Sequence, residues 1–266
     1  MDLTRLRYEL ADGVAHVTFN RPDRHNALDL DQGRELEAVS AEIAHDPAVR
    51  AVLIDAEGPT FHVGGDLKYF AGAAEEGAEA MGRALRTLTA YAHAAAERLS
   101  RGPAPVVIAV QGMAAGGGMS IMLGGDLVIA AESAAFTMAY TAAGLTPDMS
   151  SSWYLPRLVG LRRAQELVFT NRRLSATEAL EWGLVTEVVP DGELADRAMA
   201  LAQQLAAGPT RAYAGAKALL RTAYHQPLEA QMADESESIA SLTATEDTRA
   251  GVAAFVAKER PTYVGR

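Results

Sequence analysis

The sequence predicts an α/β protein with largely parallel sheets, followed by an all-helical C-terminal region. Three observations predict it. Two short runs of β-branched and small apolar residues, Val106–Val110 and Leu127–Ala131, suit strands covered on both faces. Helical periodicity separates such runs, and strand–helix alternation is the pattern of stacked parallel strands. After Pro190 the pattern turns wholly helical.

Taken in order, residues 8–10 and 14–19 flank Asp12-Gly13, a hairpin signal because both turn residues tolerate positive φ. A helix is expected over Leu30–His45, with Leu36, Val39 and Ile43 on one face and Asp46-Pro47 ending it. Residues 51–55 read as a short buried strand, and Asp66 can cap a helical turn after the loop at 57–65. The glycine-punctuated polar stretch 72–82 is expected to be mobile, and 85–99 to be helical. Further helices are expected near 162–169 and 176–182, with a strand at 185–189 between them and the tail. The tail reads as helices at 194–207, 211–224, 228–243 and 245–259. The expected division is an α/β core over 1–192 and a helical region over 193–266.

Composition narrows the function. The chain has 266 residues, enough for a substantial core, with 49% hydrophobic and 22% charged residues. It has no cysteine, which excludes disulfides, thiol catalysis and Cys-based metal sites. A net charge of −10 argues against broad nucleic-acid binding. The histidines lack ligand spacing, so no metal is expected. No signal peptide and no membrane span are read, which points to a cytoplasmic protein.

The most informative stretch is Val106 to Ile121, where the buried strand runs into Gly116-Gly117-Gly118 and an apolar helix. Free N–H groups at a helix N-terminus attract negative charge, and missing Cβ atoms let a ligand approach the main chain. An anion hole is the expectation, beside the simpler reading of a tight strand-to-helix crossing.

Further motifs stand in a definite order. They are Asn20-Arg21-Pro22, Asn26-Ala27-Leu28, Gly64-Gly65-Asp66-Leu67, Gln111 to Gly118, Gly144-Leu145-Thr146-Pro147-Asp148 and Leu155 to Gly160. Glu178-Ala179, Trp182 to Val185, Ala254-Phe255 and Lys258 complete the series. Together they resemble the crotonase superfamily, the enoyl-CoA hydratases and isomerases, over about residues 10 to 260. The resemblance implies a spiral of ββα units with a helical C-terminal region that forms trimers or hexamers. It implies an acyl-CoA thioester as substrate and an enolate held by two backbone amides, by position those of Val63 and Gly117. It places coenzyme A near Arg24, Asn26, Ala27, Asp66, Leu67 and Lys68, with Phe255 and Lys258 reaching it from a neighbouring subunit. No separate cofactor is implied, since coenzyme A is part of the substrate.

The two glutamate positions of the family's hydratases hold Ser120 and Tyr140 here, and neither is a carboxylate. Asp148 remains as the candidate base, in apolar company that would raise its pKa; the simpler reading is a helix N-cap. An aspartate in this context serves as the base in isomerases of the superfamily, including ring-opening ones. The expected chemistry is therefore a proton shift in an acyl-CoA, with Tyr140 lining the acyl pocket. Hydration is one alternative. Another is a 4-chlorobenzoyl-CoA dehalogenase-like hydrolysis using Asp148 and His93, with Tyr140 at the family tryptophan's place. His93, in an alanine-rich helix, reads more readily as structural. A serine hydrolase at Ser120 lacks the closing glycine of Gly-x-Ser-x-Gly, and a non-catalytic scaffold is the last alternative. Residues 72–82 with Met119, Met138, Tyr140 and Trp153 are expected to shape the acyl pocket.

Overall fold

The computed structural model describes residues 1–266. Strands β1 (Leu6–Ala11) and β2 (Val14–Phe19) form the expected hairpin, and Asp12 (φ 50°) and Gly13 (φ 79°) both take left-handed backbone at the turn. Helix α1 (Leu30–His45) starts at Asp29, whose carboxylate accepts the Gln32 N–H. Next come β3 (Ala51–Ala56), α2 (Leu67–Glu75), α3 (Ala78–Arg101), β4 (Val106–Val110), β5 (Met113–Ala115) and α4 (Gly117–Leu123). Then follow β6 (Leu127–Ala131), β7 (Ala135–Thr137), α5 (Ser151–Val159), α6 (Leu161–Thr170), β8 (Leu174–Ser175), α7 (Ala176–Glu181) and β9 (Glu187–Val189). The tail is α8 (Leu194–Ala206), α9 (Thr210–Thr222), α10 (Leu228–Leu242) and α11 (Glu246–Ala257).

Six strands form one sheet in the order β1-β2-β3-β4-β6-β9, parallel from β2 onward. Three short strands, β5-β7-β8, form a second. The runs β4-β5-α4 and β6-β7-α5 each give one strand to each sheet before a helix, which is the ββα repeat. Strand β4 explains its own sequence. Val106, Ile108 and Val110 enter the main core, while Val107 and Ala109 face a second core on the opposite side. With both faces covered, every position must be apolar.

The second core extends past residue 192. Leu194, Ala198, Ala202 and Ala206, four residues apart on α8, pack onto β2, β3, β4 and β6, so α8 is part of the α/β body. Most of the 72–82 stretch is helical: α2 runs through Gly72, and α3 begins at Ala78 after Gly77 (φ 109°). Beyond α8 the apolar side chains are poorly covered; Leu220, Ile239, Val252, Phe255 and Val256 are each more than half exposed. No helix is long and apolar enough to cross a membrane.

Candidate active site

A cavity of about 280 Å³ opens between α2, α3, the start of α4 and the segment ahead of α5. Leu28, Leu67, Phe70, Leu85, Leu88, Ala92, Leu145 and Met149 supply an apolar lining. Residues 72–82 do not line it, and the α3 residues Leu85, Leu88, Thr89 and Ala92 do. Met119 and Met138 are sealed in the core, and Trp153 lies in a different cleft, between His225 and the Arg157 guanidinium. The expected pocket-shaping roles of these three are therefore not met.

The wall toward β5 is main chain. Gly117 opens α4, so its N–H has no carbonyl one turn back and faces the cavity region unclaimed by the helix. The approach of the 63–65 segment to this turn is tight: a Cβ on Gly64, at φ 87°, would lie 2.8 Å from the Gly117 nitrogen. A Cβ on Gly118 would lie 2.0 Å from the His62 carbonyl oxygen. The glycine triplet thus permits the close crossing; within it the Gly116 amide donates to the Thr137 carbonyl, and that of Gly117 has no helical acceptor.

Three consecutive amides beside it have different fates. Val63 donates to the His25 carbonyl at 3.3 Å, and Gly64 donates to His62 Nδ1 at 3.0 Å. Gly65 bridges Leu28 through its neighbours, since Leu28 donates to Gly64 and Asp66 donates to Leu28; its own N–H has no acceptor within the protein. Gly65 lines the cavity with Gly117. The expectation that Val63 supplies an oxyanion donor is corrected here: Val63 lines the site, but its amide is engaged, and the free one is Gly65.

Asp148 is the one carboxylate lining the cavity. Its carboxylate accepts from the Tyr140 hydroxyl, not from the N–H groups of α5, so the N-cap reading fails. Burial raises its pKa, opposed by the Tyr140 hydrogen bond and by His93. Burial also raises the Tyr140 pKa, reinforced by the Asp148 charge, so the phenol keeps its proton. With the phenol O–H pointed at Asp148, the Ser120 hydroxyl 2.8 Å away donates to the phenol oxygen, the nearer of its two acceptors, the other being the Gly116 carbonyl at 3.3 Å. Sequence reasoning found all three residues and missed that they form one chain. His93 does not reach this chain by hydrogen bond; its Nε2 accepts the Met149 N–H at 3.1 Å, so its Nδ1 carries the proton when the ring is neutral.

The residues expected around coenzyme A separate into three groups. Asn26 is fully buried and clamps the loop, its side chain accepting from Arg21 N and donating to the Glu57 and Thr60 carbonyls, so both side-chain N–H groups are spent within the protein. Ala27 is buried, and Asp66 caps α2 through Lys68 N and Tyr69 N while pairing with Arg21 at 3.4 Å. These three shape the rim. Leu67, 62% exposed, Lys68 and Arg24 stand on the outside, where a ligand can meet them. Phe255 is 84% exposed on α11, and Lys258 ends that helix; neither lines the cavity within one chain.

The family model for enoyl-CoA hydratase/isomerase matches residues 9–266. The chain is 36% identical over 257 residues to 1,2-epoxyphenylacetyl-CoA isomerase of Escherichia coli, covering 96% of each. It is 32% identical over 261 residues to short-chain-enoyl-CoA hydratase of Clostridium acetobutylicum, covering 98% of this chain and 97% of that one. A solved structure from Mycobacterium abscessus, of the enoyl-CoA hydratase/isomerase class, superposes with a TM-score of 0.94 at 37% identity, over 98% of this chain and 100% of that one. With its two sheets, ββα repeats and helical tail, the chain belongs to the enoyl-CoA hydratase/isomerase family, the crotonase superfamily.

Proposed function

We propose that this enzyme is an acyl-CoA isomerase that shifts a double bond, or opens an epoxide ring, through a thioester enolate. The observation that carries the reading is the single carboxylate, Asp148, in an apolar cavity walled by the amides of Gly65 and Gly117. Those two donors meet the thioester oxygen as negative charge develops on it, in a site lined mostly by apolar side chains. Asp148, desolvated and so a stronger base, takes a proton from one carbon and returns it to another. One carboxylate suffices for a shuttle. Hydration requires water to be activated as well, and Ser120 and the protonated Tyr140 are poor candidates for that work. Tyr140 holds and orients the carboxylate.

A dehalogenase-like role for His93 is disfavoured because its Nε2 is occupied by the Met149 amide. Within the same reading the enzyme works in the cytoplasm as a homotrimer or hexamer. It uses no metal, nucleic acid or membrane, and no cofactor beyond the coenzyme A that the substrate carries. Incubating the protein with a panel of 2-enoyl-, 3-enoyl- and epoxy-acyl-CoAs in D₂O tests this. Isomerised product with deuterium at the α or γ carbon, and no product that has gained the elements of water (20 mass units in D₂O), is the expected result. Rapid 3-hydroxyacyl-CoA formation from crotonyl-CoA overturns it in favour of hydration.

A further inference from the structure

The cavity chemistry leaves one fully buried titratable group unused, His62, whose ring packs edge-on to Phe19 at 4.8 Å between centroids. Its main chain is already held on both sides, donating to the Met113 carbonyl at 3.1 Å and accepting from Ala115 N at 2.9 Å. The ring is therefore not needed to anchor its own backbone. Both ring nitrogens are nonetheless engaged. Nδ1 accepts the Gly64 N–H at 3.0 Å, and Nε2 lies 3.3 Å from Oε1 of Gln32, itself fully buried on α1. An amide N–H can only donate, so Nδ1 must present its lone pair. Nε2 then carries the proton and donates to the Gln32 oxygen, which also fixes which way round the Gln32 amide sits.

We propose that His62 is the positioning residue of the oxyanion hole, its neutral ring holding the Gly64 amide so that the next amide, Gly65, is left facing the acyl cavity. This rests on the functional reading above. The geometry gives the ring a specific task. Val63, Gly64 and Asp66 all spend their N–H groups inside the protein, and the acceptor for Gly64 is the one in this set that a side chain supplies. The His62 carbonyl also presses against Gly118, and Gly64 against Gly117, so the imidazole side of the loop and the first turn of α4 form one wedge. Turning the Gly64 amide away from Nδ1 would rotate the following peptide and carry the Gly65 N–H off target. Burial, with the nearby Arg21 charge, depresses the His62 pKa to about 3, so the acceptor persists through the working pH range.

The test compares His62→Asn with His62→Leu. The Asn Oδ1 stands where Nδ1 stands and can accept from Gly64; Leu fills the space without an acceptor. For His62→Leu a kcat lower by about 10- to 100-fold is expected, the scale of a donor misplaced by about an ångström. Coenzyme A binding should stay within about twofold, and His62→Asn should recover most of the kcat. A folded His62→Leu protein with wild-type kcat overturns the proposal, as does a folded His62→Asn protein equally impaired. Nitrogen NMR of the wild-type ring needs neither variant nor turnover. The Nε2–H tautomer, unchanged from about pH 5 to 8, is expected; an Nδ1–H tautomer or a cation in that range overturns the proposal. A wild type that turns over no acyl-CoA yet shows this tautomer counts against the functional reading and leaves the loop geometry standing.

Discussion

The Tyr140 hydroxyl donates a hydrogen bond to Asp148 and accepts one from Ser120, whose Oγ lies 2.8 Å away. The carboxylate is thus held at one oxygen by a neutral donor, in a residue that lines the acyl cavity. A base that must release and recapture a proton on one substrate gains from such tethering, because it cannot swing away between the two steps.

Replacing Asp148 with Asn keeps the shape and an acceptor for Tyr140 but removes the base. Isomerisation of a 3-enoyl-CoA should fall by about 10²–10⁴-fold, and deuterium exchange at the substrate carbons should stop. Binding of the thioester should barely change. The stability effect has a definite sign. A carboxylate whose pKa is raised on folding contributes stability at low pH that is lost as pH rises through the folded value. Asp148→Asn should therefore raise the melting temperature relative to wild type more at pH 7 than at pH 4. Full exchange activity in the variant would remove Asp148 from the mechanism.

Tyr140→Phe deletes the hydrogen bond that lowers the Asp148 pKa and leaves the desolvation that raises it. The acidic limb of the kcat/KM profile, which reports ionisation of the base, should move to higher pH. At the alkaline plateau the loss should be smaller than at pH 6. A limb that moves toward acid would show that the phenol does not stabilise the ionised carboxylate.

Much of this arrangement is legible in the chain, and the failures share a cause. Strand β4 is readable because both its faces are buried, which forces an unbroken apolar run. Strands β5, β7 and β8, of two or three residues, are too short to leave a period. Asp148, Tyr140 and Ser120 are found by motif position, since their side chains are the signal. The amide left without an acceptor is that of Gly65 and not of Val63, because an amide's freedom depends on which carbonyl lies opposite, here that of His25. No local pattern encodes that. Asn26 misleads in the opposite way: a polar residue in a binding motif turns out to be spent on the loop's own backbone. His62 carries a readable hint, a histidine inside Phe-His-Val-Gly-Gly, where a buried ring can serve as an acceptor for glycine amides.

His93 separates two mechanisms in one substitution. Its Nε2 accepts from Met149, which with Ser150 adopts left-handed backbone (φ 48° and 64°) immediately after Asp148. His93→Gln keeps an acceptor on a side chain of similar reach, so activity should stay within a few-fold of wild type. A catalytic base at this position would instead cost about 10²–10⁴-fold, and a loss of that size would return the hydrolytic alternative.

Coenzyme A recognition should weaken as salt rises, despite the net charge of −10. Arg24 and Lys68 stand exposed beside the rim, Arg24 with only Asp23 at 3.7 Å and Lys68 with no ion-pair partner. Phosphates passing there meet local positive charge, which about 0.15 M salt screens within roughly 8 Å. Lys68→Ala should weaken binding and flatten its salt dependence. Calorimetry with coenzyme A showing no heat at low salt would contradict the placement.

The helical tail carries the last prediction. Leu220, Tyr224, Leu228, Ile239, Phe255 and Val256 are each at least 69% exposed in a single chain, spread over α9, α10 and α11 and the turn between the first two. Scattered exposed leucines need no explanation, but an apolar set this large across three consecutive helices marks a surface that meets protein. Closed symmetry lets one such surface be used in every subunit, and a threefold ring is the expected form. Light scattering at micromolar concentration should give a trimer or hexamer mass. Introducing charge with Phe255→Asp and Val256→Asp together should shift the mass toward monomer, since each buried carboxylate would lose its water without gaining a partner. Coenzyme A affinity should fall with it if Phe255 and Lys258 complete the neighbouring site. A wild type that remains monomeric at that concentration ends the argument. A doubly substituted protein that stays trimeric would place the contact on another face.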